Sequence, residues 1–490
     1  MRLTRTGLTA CGLAALLTGC GGDSGNGPAP SPAPGPVATP APSPTPSPSA
    51  QCSLRARQDW ASAQLQEWYL FPDLLATGLD PAAYSTVDDY IDALVQPARA
   101  LGRDRYFTYL TSIAEENAYY EQGASGGFGV RLAYDIGGGR VFVAEAFEGG
   151  TALANGLDRG AELLSIANPG AAPQNVADLM AAGGPQAVIN ALGSNDLGVA
   201  RALVFRDLAG VTRTATISKT EFALDPVSDR YGAKVIQDGG RGVGYLNLRT
   251  FIDTAEPDLR AAFASFKAQG VTELIVDLRY NGGGLISIAE LMGNLLADGR
   301  GGQVFERIAF RDSKASENET YAFQVQAESI APTRIAFIGT GSTASASELV
   351  INGMVPYLGT SMALVGSNTY GKPVGQIALD RAACDDRLRV VALKIENAAG
   401  QGEYYNGLAT TVPVTCAAND DLSRQLGDPA EAMIRASLDF LAGRSCTAIS
   451  ARAGASAAGA GTRVGTAPQP EMLVPEQPRS TLEREVPGAY

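Results

Sequence analysis

The run Leu274-Ile275-Val276-Asp277-Leu278-Arg279 is almost continuously apolar, and it follows an amphipathic stretch from Ala255 to Ala268 and another apolar run, Gly242-Val243-Gly244-Tyr245-Leu246-Asn247-Leu248. A strand that is apolar at successive positions has to be covered on both faces, which is the condition of a strand inside a parallel sheet. Strand, helix, strand in that order predicts a right-handed βαβ unit. Further strands are expected at Arg334 to Ile338, Ala363 to Gly366, Leu388 to Ile395 and Gly407 to Val414, with helices at Ser287 to Leu296 and Asp428 to Leu441. The fold class expected is therefore mixed α/β.

Two of these strands end in loops rich in small residues, where α/β folds place their sites. One runs into Tyr280-Asn281-Gly282-Gly283-Gly284-Leu285. The other runs into Gly341-Ser342-Thr343-Ala344-Ser345-Ala346-Ser347-Glu348, ahead of the apolar Leu349-Val350-Ile351. The second loop puts a hydroxyl at a helix N-terminus, beside free N–H donors that suit a developing oxyanion. A serine nucleophile needs a base, and the chain contains no histidine. A Ser-His-Asp triad and any imidazole metal site are thereby excluded, which leaves a lysine kept neutral by desolvation. Plainer readings stand beside this one. Ser342, Thr343 and Ser347 all suit helix caps, and the glycine turn would suit a phosphate, although it lacks both G-x-G-x-x-G spacing and a P-loop lysine.

The two loops, with Gly371-Lys372-Pro373-Val374-Gly375-Gln376 downstream, resemble the C-terminal processing peptidases. These tail-specific serine proteases use a Ser-Lys pair and are related to the tricorn protease. The resemblance implies Ser345 as nucleophile, two positions before the last Ser of the run. It implies Lys372 as general base, 372 − 345 = 27 residues on, and Gln376 as the residue that orients it. Ala346 and Gly283, with Gly284 as the neighbouring alternative, would supply the oxyanion amides. Pro373 and the extra residues around Pro356 to Gly359 depart from the family pattern. The core implied is a ClpP-crotonase-like one of ββα and βαβ units.

The same resemblance extends upstream. Gly127-Phe128-Gly129-Val130 resembles the carboxylate-binding loop of a PDZ domain, in which consecutive backbone N–H groups receive a peptide's end. Arg140-Val141-Phe142-Val143, the turn Glu148 to Leu164, and a hairpin of Val199 to Phe205 with Val211 to Ser218 complete a PDZ-like reading of residues 122–222, with Pro169 to Asn195 as a long insertion. Apolar spacing predicts helices over residues 51–121, a region given little functional weight, and the resemblance implies that residues 223–448 are the peptidase core. No cofactor and no metal are implied.

The ends of the chain read differently. Arg2, Arg5, the apolar Leu8 to Leu17 and Leu17-Thr18-Gly19-Cys20 resemble a lipoprotein signal over residues 1–19, with Cys20 lipidated. A plain secretory signal cleaved nearby is the alternative. No Asp follows Cys20, which favours the outer membrane over the inner as the anchor of an enzyme facing the periplasm. Residues 20–50 form a Gly-, Ser- and Pro-rich stalk, and residues 449–490, without apolar periodicity, are expected to be disordered. Cys11 would leave with the signal, and Cys52, Cys384, Cys416 and Cys446 permit three pairings, of which Cys384–Cys416, flanking two expected antiparallel strands, with Cys52–Cys446 is favoured over the others and over free thiols.

A net charge of −13 argues against nucleic-acid partners. The expected partners are proteins or peptides with accessible C-termini, and the membrane through the lipid. Two rival functions share much of the pattern: a silent PDZ scaffold that only binds, and a Ser-Lys hydrolase of other amides or cell-wall material.

Overall fold

The computed structural model describes residues 48–135, 137–450, 470–478 and 480–490. Cys20 and the proline-rich stretch before residue 48 lie outside the described residues. Strand Glu273–Asp277 sits inside a six-stranded sheet, parallel to Arg241–Asn247 on one side and to Arg334–Gly339 on the other. The sheet continues through Met362–Gly366 to Thr415–Ala417, and Ala233–Asp238 forms its antiparallel edge. Alternation explains the apolar run. Leu274 and Val276 pack on one face with the helices Ala255–Ala268, Ile286–Leu295 and Ala346–Leu358. Ile275 packs on the other face with helix Ala432–Leu441. Each such buried side chain stabilises the fold by roughly 1.5–3 kcal/mol, so the run cannot slip by one residue without exposing a core face to water.

A second sheet forms around the long strand Asp386–Asn397, which pairs antiparallel with Val374–Arg381, Val304–Phe310 and Tyr109–Ser112. The N-terminal region is thus helical at Leu54–Trp68, Val87–Ala100 and Ile113–Gln122, but Tyr109–Ser112 is a strand taken up by that sheet. Gly407 to Val414 differs from expectation as well. It forms a short 3-10 turn, Leu408–Thr410, because side chains take its N–H groups: Thr369 Oγ1 accepts from Leu408 at 2.8 Å and Asn368 Oδ1 from Ala409 at 2.8 Å.

A third sheet holds Val130–Asp135, Arg140–Ala146, Glu162–Ala167, Ala200–Arg206 and Thr212–Ser218 in spatial order. The insertion after Pro169 is mostly helix, Val176–Leu192, bent at Gly183 and Gly184 and packed on this sheet. A buried polar network joins the sheet to the core. Arg159 donates to Ala144 O, to Tyr280 Oη at 2.8 Å and to Asp420 Oδ1 at 2.7 Å, and Asp420 also accepts from Arg279 at 2.9 Å. Charges this deeply buried must be paired.

Two expectations are corrected. The disulfides are Cys52–Cys384 and Cys416–Cys446, with Cα separations of 5.5 and 5.3 Å. Cys384 lies in the turn before Asp386–Asn397, beside the N-terminal helix whose Ala56 carbonyl accepts from Arg381, while Cys416 lies on the edge of the core sheet. Pairing follows Cα proximity, which chain order does not report. The stretch expected to be disordered is built into the fold over its described part. Glu471–Met472 pairs with Val130–Asp135, and Thr481–Glu485 is a helix capped by Ser480. Its buried apolar residues are few and aperiodic because Leu473, Leu482 and Val486 fill hollows in surfaces made by other elements.

Candidate active site

Ser345 ends the loop after strand Arg334–Gly339 and caps helix Ala346–Leu358 with φ = +55°. A positive φ at a residue other than glycine costs energy and persists only where its surroundings enforce it. The enforcing contacts are visible. Thr343 Oγ1 donates to Leu278 O at 2.7 Å, Ser347 Oγ to Asn281 O at 3.1 Å, and Ala344 N to Asn281 O at 3.1 Å. Thr343 and Ser347 therefore tie the loop to the neighbouring strand end, and Ser345 is the hydroxyl at the helix start.

Glu348, one turn later and 0% exposed, joins this loop to the lysine loop. Its Oε2 accepts from Ser345 N at 3.1 Å and from Lys372 N at 2.7 Å. Its Oε1 accepts from Gly371 N at 2.7 Å and from Thr369 Oγ1 at 2.6 Å. One carboxylate oxygen thus holds the backbones of the expected nucleophile and the expected base. Burial pushes this carboxyl above the usual range, and the four donors pull it back. Glu348→Ala would leave buried donors without an acceptor, at roughly 1–3 kcal/mol each. A loss of about 3–5 kcal/mol in urea unfolding is expected, together with at least a tenfold fall in turnover. A variant as stable as the wild type would contradict the role of Glu348 as a staple.

Lys372 Nζ donates to Gln376 Oε1 at 2.7 Å and lies 4.7 Å from the centre of the Phe107 ring. Gln376 is fixed in turn by donating from Nε2 to Phe107 O at 2.5 Å. Burial lowers the Lys372 pKa, opposed by the carboxylates of Glu485, Asp104 and Glu348 and assisted by Arg389. Arg105 donates to Tyr370 O at 3.0 Å and to Gly371 O, and it stacks 4.1 Å from the Tyr370 ring centre. The segment Asp104–Phe107, given little weight from sequence, therefore forms one wall of the lysine site. Glu348 was legible as a glutamate three residues after a capping serine; Arg105 and Phe107 lie in the run Asp104 to Tyr109, which resembles the segment closing the family's N-terminal helical region, but nothing local tied them to the lysine.

Gly283 lies against Ser345, and a Cβ added to it would stand 2.7 Å from the serine Cβ and 3.2 Å from Ala346 N. Its φ of +122° favours glycine. The structure departs from expectation in one respect. The Gly283 N–H donates to Asn281 Oδ1 at 2.9 Å, so it must leave that partner before it can serve an oxyanion.

At a distance along the chain, Gly127, Phe128, Gly129 and Val130 surround Tyr490. Gly129 N and Val130 N donate to its carbonyl oxygen at 3.0 and 3.2 Å. Among the described residues there is no cluster of acidic or cysteine side chains suited to a metal, and no helix is long and apolar enough to cross a membrane.

Residues 242–413 match the family model "Peptidase family S41". The chain is 30% identical over 160 residues to a carboxyl-terminal-processing protease of Picosynechococcus, covering 33% of this chain and 35% of that protein. It is 26% identical over 268 residues to a chloroplastic C-terminal processing peptidase of Tetradesmus obliquus, covering 53% of each. The chain thus spans between a third and about half of the length of these curated relatives. A crystal structure of a candidate S41 protease from Bacteroides fragilis superimposes with a TM-score of 0.60 at 21% identity, over 78% of this chain and 97% of that one, which shows a shared fold.

Proposed function

We propose that this chain, whose residues 242–413 match the model of peptidase family S41, is a serine endopeptidase of the C-terminal processing type that works with a Ser-Lys pair. The observation that carries the reading is the single carboxylate of Glu348, which binds the backbone N–H of both Ser345 and Lys372 while Lys372 Nζ is aimed by Gln376. Neutral Lys372 takes the proton from Ser345 Oγ as the oxygen attacks a peptide carbonyl. The tetrahedral oxyanion is met by Ala346 N–H and, once it has left Asn281, by Gly283 N–H. Each such donor contributes on the order of 3 kcal/mol. Lys372 then protonates the leaving amine, and water hydrolyses the acyl-enzyme on Ser345.

The sheet of residues 130–218 is read as a PDZ-like domain that receives the end of a substrate chain by strand addition at Gly127–Val130. Cys20 is read as the lipid anchor of an envelope enzyme facing the periplasm, with protein substrates. The test is mass mapping of fragments released from an unfolded polypeptide whose carboxyl end is free or amidated. Internal cuts made faster on the free-ended chain support the reading. Cleavage of small esters with no cut in any polypeptide would contradict it.

A further inference from the structure

The edge of strand Val130–Asp135 is filled by two pieces of one segment. Glu471 and Met472 lie opposite Tyr134 and Ala133, and Leu473 N donates to Leu132 O at 2.9 Å. The chain leaves the edge and returns. Gly488 O accepts from Leu132 N at 2.8 Å, Ala489 lies opposite Arg131, and Tyr490 N donates to Val130 O at 2.8 Å. The Tyr490 carbonyl oxygen takes two convergent N–H groups, from Gly129, whose φ is +78°, and from Val130. This is the geometry of a backbone anion nest. The Tyr490 ring is 3% exposed, donates from Oη to Leu473 O at 2.9 Å, and lies 5.9 Å from Lys219 Nζ, a setting that favours an aromatic side chain.

Between the two pieces, helix Thr481–Glu485 packs Leu482 and Val486 among Tyr119, Tyr120, Phe147, Phe222 and Ile252. A Cβ placed on Gly282 would stand 2.6 Å from Glu485 O, so the segment presses on the glycine turn beside Ser345. Arg131 Nη1 spans the join, donating to Pro487 O at 2.8 Å and to Tyr280 O at 2.9 Å. Glu485 is buried and attracts the Lys372 ammonium.

We infer that residues 470–478 and 480–490 are an intramolecular occupant of the peptide groove that seats Tyr490 in the loop Gly127–Val130 and holds Thr481–Pro487 against the Gly282–Gly284 turn, keeping the site latent until a peptide ending in an aromatic residue displaces it. The inference rests on the peptidase reading for its consequence and on the groove alone for its premise. Of the charged groups facing Lys372, which are Glu485, Arg389, Asp104 and Glu348, only Glu485 leaves with the segment.

The probe is a labelled peptide of residues 482–490, as free acid and as amide, added to the full chain carrying Ser345→Ala with Tyr490 or with Tyr490→Ala. The free acid is expected to bind the Tyr490→Ala chain at least tenfold more tightly than the Tyr490 chain, and at least tenfold more tightly than the amide binds. With Ser345 restored, Tyr490→Ala should raise turnover of an unfolded protein at least tenfold, while Tyr490→Phe, which keeps the ring, stays latent. Equal peptide affinity for the two chains would overturn the proposal, as would a Tyr490-dependent dimer in sedimentation, which places the occupant in a second copy. Binding competition seen without turnover in any variant would sink the peptidase reading and leave the occupant assigned.

Discussion

Lys372→Met is expected to lower kcat/KM on an unfolded polypeptide by roughly 10³–10⁴-fold while leaving the urea midpoint close to that of the wild type. Methionine keeps much of the length and the apolar body of the side chain, so the packing against Phe107 survives while the proton acceptor is lost. The hydrogen bond to Gln376 Oε1 and the attraction to the Glu485 carboxylate go with it. The pH profile gives a second reading of the same group. Lys372 must be neutral to accept a proton from Ser345, and burial lowers its pKa from the ordinary 10.5. Activity should therefore rise with pH and level off below that value. A wild-type profile still climbing steeply above the ordinary lysine pKa would contradict a desolvated base, and residual activity in Lys372→Met within tenfold of the wild type would assign the proton to another group.

Ser345→Ala is expected to remove more, about 10⁴–10⁶-fold in kcat, because the hydroxyls of Thr343 and Ser347 are not placed to replace it. Thr343 Oγ1 and Ser347 Oγ are both committed to carbonyls of the neighbouring turn. The double variant with Lys372→Met should be little worse than Ser345→Ala alone, since two groups serving one proton transfer do not contribute additively. The φ of +55° at Ser345 makes stability informative as well. Alanine bears the same backbone strain, and the Ser345 N–H still donates to Glu348, so the fold should be unchanged by circular dichroism. Full additivity of the two substitutions would mean that Ser345 and Lys372 do not act on the same step.

Where side chains answer to their own element, the sequence was readable. Leu274, Ile275 and Val276 announced a strand covered on both faces, and the Ala255–Ala268 helix starts and stops where its apolar spacing does. The residue types of the candidate site were legible for a related reason: without histidine, a serine at a helix start leaves few partners. What escaped depends on contacts between distant parts of the chain. Cys384 and Cys416 looked like neighbours in order, but the backbone carries Cys384 to the turn before Asp386–Asn397 and Cys416 to the edge strand of the core sheet. Phe107 and Arg105 matter only because a strand from the N-terminal region joins the sheet that carries Gln376. Residues 470–478 and 480–490 showed no period because their order comes from the edge of Val130–Asp135 and the hollow beside Tyr119 and Tyr120. The Gly283 N–H was expected to face the reaction, but its bond to Asn281 Oδ1 is a choice between partners that local sequence does not record.

The central claim is that Ser345 is a nucleophile activated by Lys372, and covalent capture tests it most directly. The full chain carrying Tyr490→Ala would be treated with a serine-reactive fluorophosphonate and analysed by intact mass and peptide mapping. The account predicts one adduct, on Ser345, forming at a rate that rises with pH as Lys372 loses its proton and absent when Lys372 is Met. An adduct on another serine, or labelling of Ser345 at an unchanged rate without Lys372, would contradict it.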